Sequence, residues 1–240
     1  LIDAHIIPAA FCREMRSPGE TTLYLLSKNT ADHTKRSPIG PYDPQILCRE
    51  CEDQFEKLDD YAARLLIRDR DTAFQRQIVG EHEVYVAESV DYAQLKLFVI
   101  SVLWRASASG LPFFRRIDLG PRLARARQML EESDPGTPAE FATFFTRWIK
   151  TPGKQLPPKF MASPVSRRYE GARGAKLYLG YFVANVCTSS ASFPSPLSDF
   201  AIAPDKPVVA IGIPLSGSGD VETFRSSLLK RGARRPRRTP

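Results

Sequence analysis

A chain of 240 residues that is 42% hydrophobic can bury a real core and is too apolar to be a disordered protein, and its four cysteines are too few for a disulfide framework. The formal charge of +7 points to a polyanionic partner only at the C-terminus, because Lys230, Arg231, Arg234, Arg235, Arg237 and Arg238 supply six charges and leave residues 1–229 at about +1. No apolar run approaches the roughly 18 residues that cross a bilayer, and no charged-then-apolar leader opens the chain, so a cytoplasmic protein is expected.

Residues 1 to about 61 are rich in turns, with "SPGE" and "RSPIGPYDP" denying long helices. Between them "TTLYLLS" carries the β-branched and aromatic residues of a short strand. In "EDQFEKLDDYAARLLI" the positions Phe55, Leu58, Ala62 and Leu65 recur at helical spacing, which predicts a helix beginning at Cys51. "HEVYVAES" reads as a strand. "DYAQLKLFVISVLWRASAS" reads as a helix capped by Asp91, apolar nearly all round and so central to a core.

"LGPRLARARQMLEES" predicts a more polar helix with Pro121 in its first turn. "TPAEFATFFTRWIK" has the Thr137-to-Glu140 spacing of a capping box and Pro138 at the next position, which predicts another helix whose Phe141, Phe144, Phe145 and Trp148 enter the core. After Thr151, "AKLYLGYFVANV" and "PVVAIGIPL" are strand-like, and "GDVETFRSSLLKR" predicts a last helix capped by Asp220. The expected architecture is α+β: a small metal-clipped module, a mixed helix and strand body with one central buried helix, and a basic disordered tail.

Chemistry concentrates in the first module. His5 follows Asp3 by two residues, so the carboxylate shares its face on an extended chain and can orient the imidazole or share a metal with it; a hydrogen-bonded structural histidine is the other reading. Cys48-x-x-Cys51 has the spacing with which two thiolates grip one zinc ion, the second from the first turn of a helix. It is half a site. Cys12, His33 and His82 are the internal candidates for the remainder, with Cys187 far away in the body. Because the chain opens at Leu1 inside a motif, a second cysteine pair is expected to precede it. Two unmetallated thiols are the alternative.

These residues resemble the HNH, or ββα-metal, endonuclease family over about the first sixty positions. "DAHIIP" resembles the first motif at His5, Ile6, Ile7 and Pro8, and "DPQILCREC" the second and third, with Asp43 where the family usually has Asn. "CEDQFEKLDDYA" and "VISVLWRASAS" also resemble stretches of bacterial proteins with this kind of start. The resemblance implies a zinc-clamped ββα-metal module over residues 1–62, an α+β body over 63–229 and a tail over 230–240. It implies His5 as general base, Asp43 holding the loop that carries it, and Mg or Mn near Asp3 and Glu52. Cys48 and Cys51 become half of a structural zinc site, and DNA the partner. Two positions depart from the pattern. Ala4 stands where the family commonly has an acid or His, and Glu52 where it often has a neutral His or Asn.

Elsewhere the signals are open. Asp59, Asp60 and Tyr61 read as a polar helix face rather than a continuation of the metal site, and Arg105 as an edge residue with its stem packed rather than a phosphate contact. "FFRR" at Phe113 to Arg116 combines the residues of a nucleic-acid contact, and "LSGSGD" those of an anion-binding turn; both are also ordinary loop compositions. A non-catalytic, zinc-ordered nucleic-acid-binding protein is the rival to an endonuclease. A body that binds a small ligand between Trp104 and Val186 is the third reading.

Overall fold

The structure, a computed structural model, describes residues 2–16, 19–27, 35–149, 160–214 and 219–220, and the architecture is mixed α+β. In chain order the elements begin with β1 (Ala4–His5), α1 (Ala9–Glu14), β2 (Leu23–Leu26), β3 (Lys35–Ser37), β4 (Tyr42–Asp43) and α2 (Arg49–Ala63). After a π-helical turn, Arg64–Arg68, come α3 (Arg70–Ala73), β5 (Gln75–Val79), β6 (His82–Ala87), α4 (Tyr92–Ala108) and α5 (Arg122–Glu131). The remaining strands are β7 (Thr143–Ile149), β8 (Phe160–Ala162), β9 (Val165–Tyr169), β10 (Ala172–Leu179), β11 (Phe182–Cys187) and β12 (Val208–Pro214).

Seven strands form the main sheet in the order β5-β6-β12-β7-β11-β10-β9, antiparallel throughout except for the parallel pair β7 and β12. Smaller sheets join β1 to β4 and β3-β2-β8. Alternation along the strands divides the sheet's two faces. Phe145, Leu177, Leu179, Phe182, Ala184 and Val186 enter the large core with α4, whereas Phe144 and Cys187 pack under Phe193, and Tyr178 and Val183 under Leu26.

Helix α4 holds the center. The Asp91 carboxylate accepts from the Gln94 N–H at 2.9 Å and closes its N-terminus, and eleven of its residues are buried, as an all-round apolar sequence requires. Ala4, Ile6, Ile7, Phe11, Leu47 and Phe55 belong to the same core cluster as Phe98 and Leu103, so the first sixty residues and α4 share one interior. Among the described residues no helix is long and apolar enough to cross a membrane.

The expected helices over α4 and α5 form, as do strands β2, β6 and β12. Helix α2 begins earlier than its apolar spacing indicates, at Arg49 with Cys48 as N-cap, because the first thiol rather than the second closes its end. "AKLYLGYFVANV" is not one strand but the hairpin β10-β11, broken where Gly180 takes φ 71°.

The helix expected over "TPAEFATFFTRWIK" is a strand. Its capping signal is partly real: the Thr137 N–H donates to the Glu140 carboxylate at 3.0 Å, and the Glu140 N–H to the Thr137 carbonyl at 3.1 Å. Phe141 then adopts φ 47°, which ends the turn, and β7 runs on between β11 and β12. A strand covered on both faces carries apolar residues at both parities, and this run imitates helical spacing. Of the last predicted helix only Gly219 and Asp220 are described; the tail 230–240, residues 215–218 of "LSGSGD" and His33 lie outside the described residues.

Candidate functional site

Strand β1 pairs with β4 in antiparallel register, Ala4 opposite Asp43 and His5 opposite Tyr42, and α2 follows six residues after β4. The His5 imidazole and the Asp43 carboxylate therefore start from adjoining strands, and Glu52 from the first turn of the next helix. A second tie joins the ends of this unit: the Ile2 N–H donates to the Leu47 carbonyl at 3.2 Å.

Arg105 anchors the unit to the core. It is 0% exposed. Its Nη1 donates to the His5 carbonyl at 2.8 Å and to Asp59 Oδ2 at 3.0 Å, and its Nη2 to Asp59 Oδ1 at 2.8 Å and Ser101 Oγ at 3.0 Å. Nε reaches the Ser101 carbonyl at 3.3 Å. A guanidinium so placed requires this saturation, since an unpaired buried charge costs several kcal/mol, roughly. Arg105 is thus not an edge residue, and Asp59 belongs to no solvated face; α2 turns it inward two turns beyond Glu52.

The electrostatics follow from burial. Desolvation first, then the Arg105 and Arg13 charges, pull the His5 pKa below its ordinary 6.5, against weaker opposite pulls from Asp59 and Asp3, so the ring is neutral at pH 7. Its Nε2 is buried and has no hydrogen-bond partner among the described residues. Glu52 Oε2 is likewise buried without a partner among the described residues, and burial raises that carboxyl's pKa against the pull of Arg105. Burial raises Asp59 too, and Arg105 opposes it.

Asp43 has a clear local task. Its Oδ1 accepts from the Gln45 N–H at 3.0 Å, and its Oδ2 from Ser109 Oγ at 2.8 Å and the Gly110 N–H at 3.3 Å. It ties β4, and through β4 the strand of His5, to the end of α4. Asp3 is exposed, outside the two-residue strand, and the shared face expected for it with His5 rests on an extended backbone that β1 does not prolong to it.

Cys48 and Cys51 come together at the start of α2 with sulfurs 3.2 Å apart. The Cys51 N–H bond and the Cys51 thiol lower the Cys48 pKa, and the same thiol contact raises that of Cys51. The other cysteines stay apart: Cys12 is buried against the Pro8 carbonyl and Cys187 against that of Ala191. Exposed His82 opens β6 on the main sheet. Among the described residues no group of three or more His, Cys, Asp or Glu side chains is placed to hold a metal ion.

Two metals are implied by the resemblance, and the residues fit them unequally. Glu52 fits one ligand position of a Mg-class ion, which takes one or two carboxylates and completes its shell with water and substrate phosphate. The thiol pair provides two of the four ligands of a closed zinc site, and the described residues supply no others. Asp59 and Arg105 are not legible in the sequence as a pair, although an Arg inside an all-apolar helix signals that it needs an acidic or carbonyl partner if buried. In comparisons with known proteins, no family model, no curated protein and no solved structure matches this chain.

Proposed function

We propose that the chain is an HNH-like, metal-dependent endonuclease that hydrolyzes DNA phosphodiester bonds with His5 as general base. One observation carries this reading: a neutral histidine with an unpartnered Nε2 stands on the first strand of a strand-strand-helix unit, its carbonyl fixed by Arg105. A base must be unprotonated at working pH, which the lowered His5 pKa favors, and its strand must be held, which Arg105 does at the His5 carbonyl.

In this reading His5 Nε2 takes the proton of the attacking water. Asp43 holds β4 against α4 and so fixes the strand beside the base. Glu52 and, from the surface, Asp3 would hold Mg or Mn, which when bound supplies positive charge for the departing oxygen. The basic residues 230–238 add affinity for the phosphate backbone through counterion release. A structural zinc on Cys48 and Cys51 would draw its other ligands from outside the described residues.

A second reading is favored by the closure of His5 Nε2 from solvent and the exposure of Asp3: a non-catalytic module that binds nucleic acid. Nicking of supercoiled plasmid with Mg or Mn separates the two. The endonuclease reading expects His5→Ala to lose about 100-fold or more of the rate, the usual contribution of a general base, with unchanged DNA affinity and unfolding midpoint. Binding without cleavage by the parent chain under either metal establishes the second reading, and parental rates in His5→Ala remove His5 from the chemistry.

A further inference from the structure

We propose that Cys48 and Cys51 form a redox-active dithiol that closes reversibly to an internal disulfide by exchange with a small disulfide of the glutathione class. The inference does not rest on the nuclease reading, and it replaces the structural zinc that reading places on the same two thiols.

The geometry points there. Cys48 is the N-cap of α2 and Cys51 lies in its first turn, so both thiols belong to one rigid helix start. Their sulfurs are 3.2 Å apart, and Cys48 Sγ also accepts from the Cys51 N–H at 3.5 Å. Closing the gap to a bond of about 2.0 Å requires side-chain rotation and no movement of a second element. Two thiols held in contact are also an incomplete zinc set among the described residues.

Access separates this pair from the other cysteines. Cys48 and Cys51 are half-buried, whereas Cys12 and Cys187 are buried. Within the pair Cys51 leans on the large core, and Cys48 sits at the free end of the helix. Cys48 is therefore the entering sulfur and Cys51 the resolving one.

The reaction balances in two steps. The Cys48 thiolate attacks one sulfur of an R–S–S–R disulfide, forming a protein mixed disulfide and releasing one R–S⁻. The Cys51 thiolate then attacks Cys48 Sγ, breaking the mixed disulfide and releasing the second R–S⁻. The two released thiolates take up the two protons lost by the cysteines; the protein pair is oxidized and the small disulfide is reduced to two thiols. Excess glutathione reverses both steps.

The full chain, reduced and freed of reductant, is incubated with glutathione disulfide, quenched in acid, alkylated and analyzed by mass. The expected result is joint loss of two alkylatable thiols without retained glutathione, a Cys48–Cys51 link in the peptide map, and Cys12 and Cys187 still alkylated after denaturation. Cys51→Ser is expected to stop at one glutathione on Cys48. A wild-type pair that stays as two free thiols, or that accumulates glutathione without forming the link, overturns the proposal. So does a chain that retains one equivalent of zinc against a chelator and thereby shields both thiols from the disulfide.

Discussion

Arg105 and Lys96 lie nine residues apart on α4, hence on opposite faces of one helix, and each is a basic side chain taken almost completely out of water. On the α2 side every Arg105 nitrogen has a partner, and the Asp59 carboxylate meets it with both oxygens. On the other side Lys96 Nζ donates to Tyr92 Oη at 3.0 Å and to the Thr137 carbonyl, both neutral, while Glu140 and Asp134 act on it only from a distance. The consequence is a charge paired with a carboxylate at one face and an amine with only neutral partners at the other. Burial lowers the Lys96 pKa to about 8, with the more remote carboxylates opposing. The paired charge is the one that holds the strand of His5.

The most severe way to break the contrast is to remove the acid from Arg105. Asp59→Leu leaves a guanidinium buried without its counterion, and a loss of about 3–5 kcal/mol in unfolding free energy is expected. Urea denaturation checks it. The double variant Asp59→Leu, Arg105→Met is expected to recover most of that loss, since an apolar pair of similar volume carries no desolvation penalty. A double variant as unstable as the single one would mean that the lost bond to the His5 carbonyl, rather than the orphaned charge, dominates.

The same contrast explains what was legible in the sequence. The long helix α4 announces itself by its Asp91 cap and uninterrupted apolar run, but an all-round apolar sequence cannot say which side of the helix Arg105 leaves from. Its partner stands 46 positions earlier in a segment whose acids alternate with exposed ones, so local spacing makes Asp59 look solvated. The motif positions are legible as local patterns, whereas the pairing that sets β1 beside β4 joins segments far apart in the chain. Strand β5 gave no signal. All five of its residues are exposed, and only its ladder to β6 makes it a strand. Strand β7 gave a false signal because neighbors cover both of its faces.

Lys96 sharpens the contrast through pH. Its pKa falls on folding from 10.5 to about 8, so between these values the unfolded chain binds more protons than the folded one, and stability rises with pH across the window. The expected gain is on the order of 1–3 kcal/mol after allowance for partial screening. Thermal or urea unfolding from pH 7.5 to 9.5 measures it; this range stays below Tyr92, whose half-buried hydroxyl is pushed up to about 12. Lys96→Met is expected to flatten this slope and to be at least as stable as the parent at pH 7.5. An unchanged slope in Lys96→Met would place the titration elsewhere.

The smallest effect belongs to the carboxylate that faces Lys96 without touching it. Glu140 accepts from Arg125 Nε at 2.9 Å and from the Thr137 N–H at 3.0 Å, and these two bonds, in that order, bring its pKa down to about 2. The stability it contributes is therefore complete above about pH 4.5 and is lost as pH falls toward 2. Because Arg125 and Glu140 are both about one third exposed, roughly 1 kcal/mol is expected for Glu140→Gln at pH 7 and almost none at pH 2.5. The variant also tests the turn that precedes β7. Glutamine keeps an oxygen for the Thr137 N–H but loses the charge that pairs with Arg125, and it removes the opposing pull on Lys96, whose pKa should fall further. If Glu140→Gln leaves the alkaline stability slope of the parent unchanged, the carboxylate does not reach the amine, and the Lys96 titration is set by burial, its two neutral hydrogen-bond partners and the charges of Asp134 and Arg125.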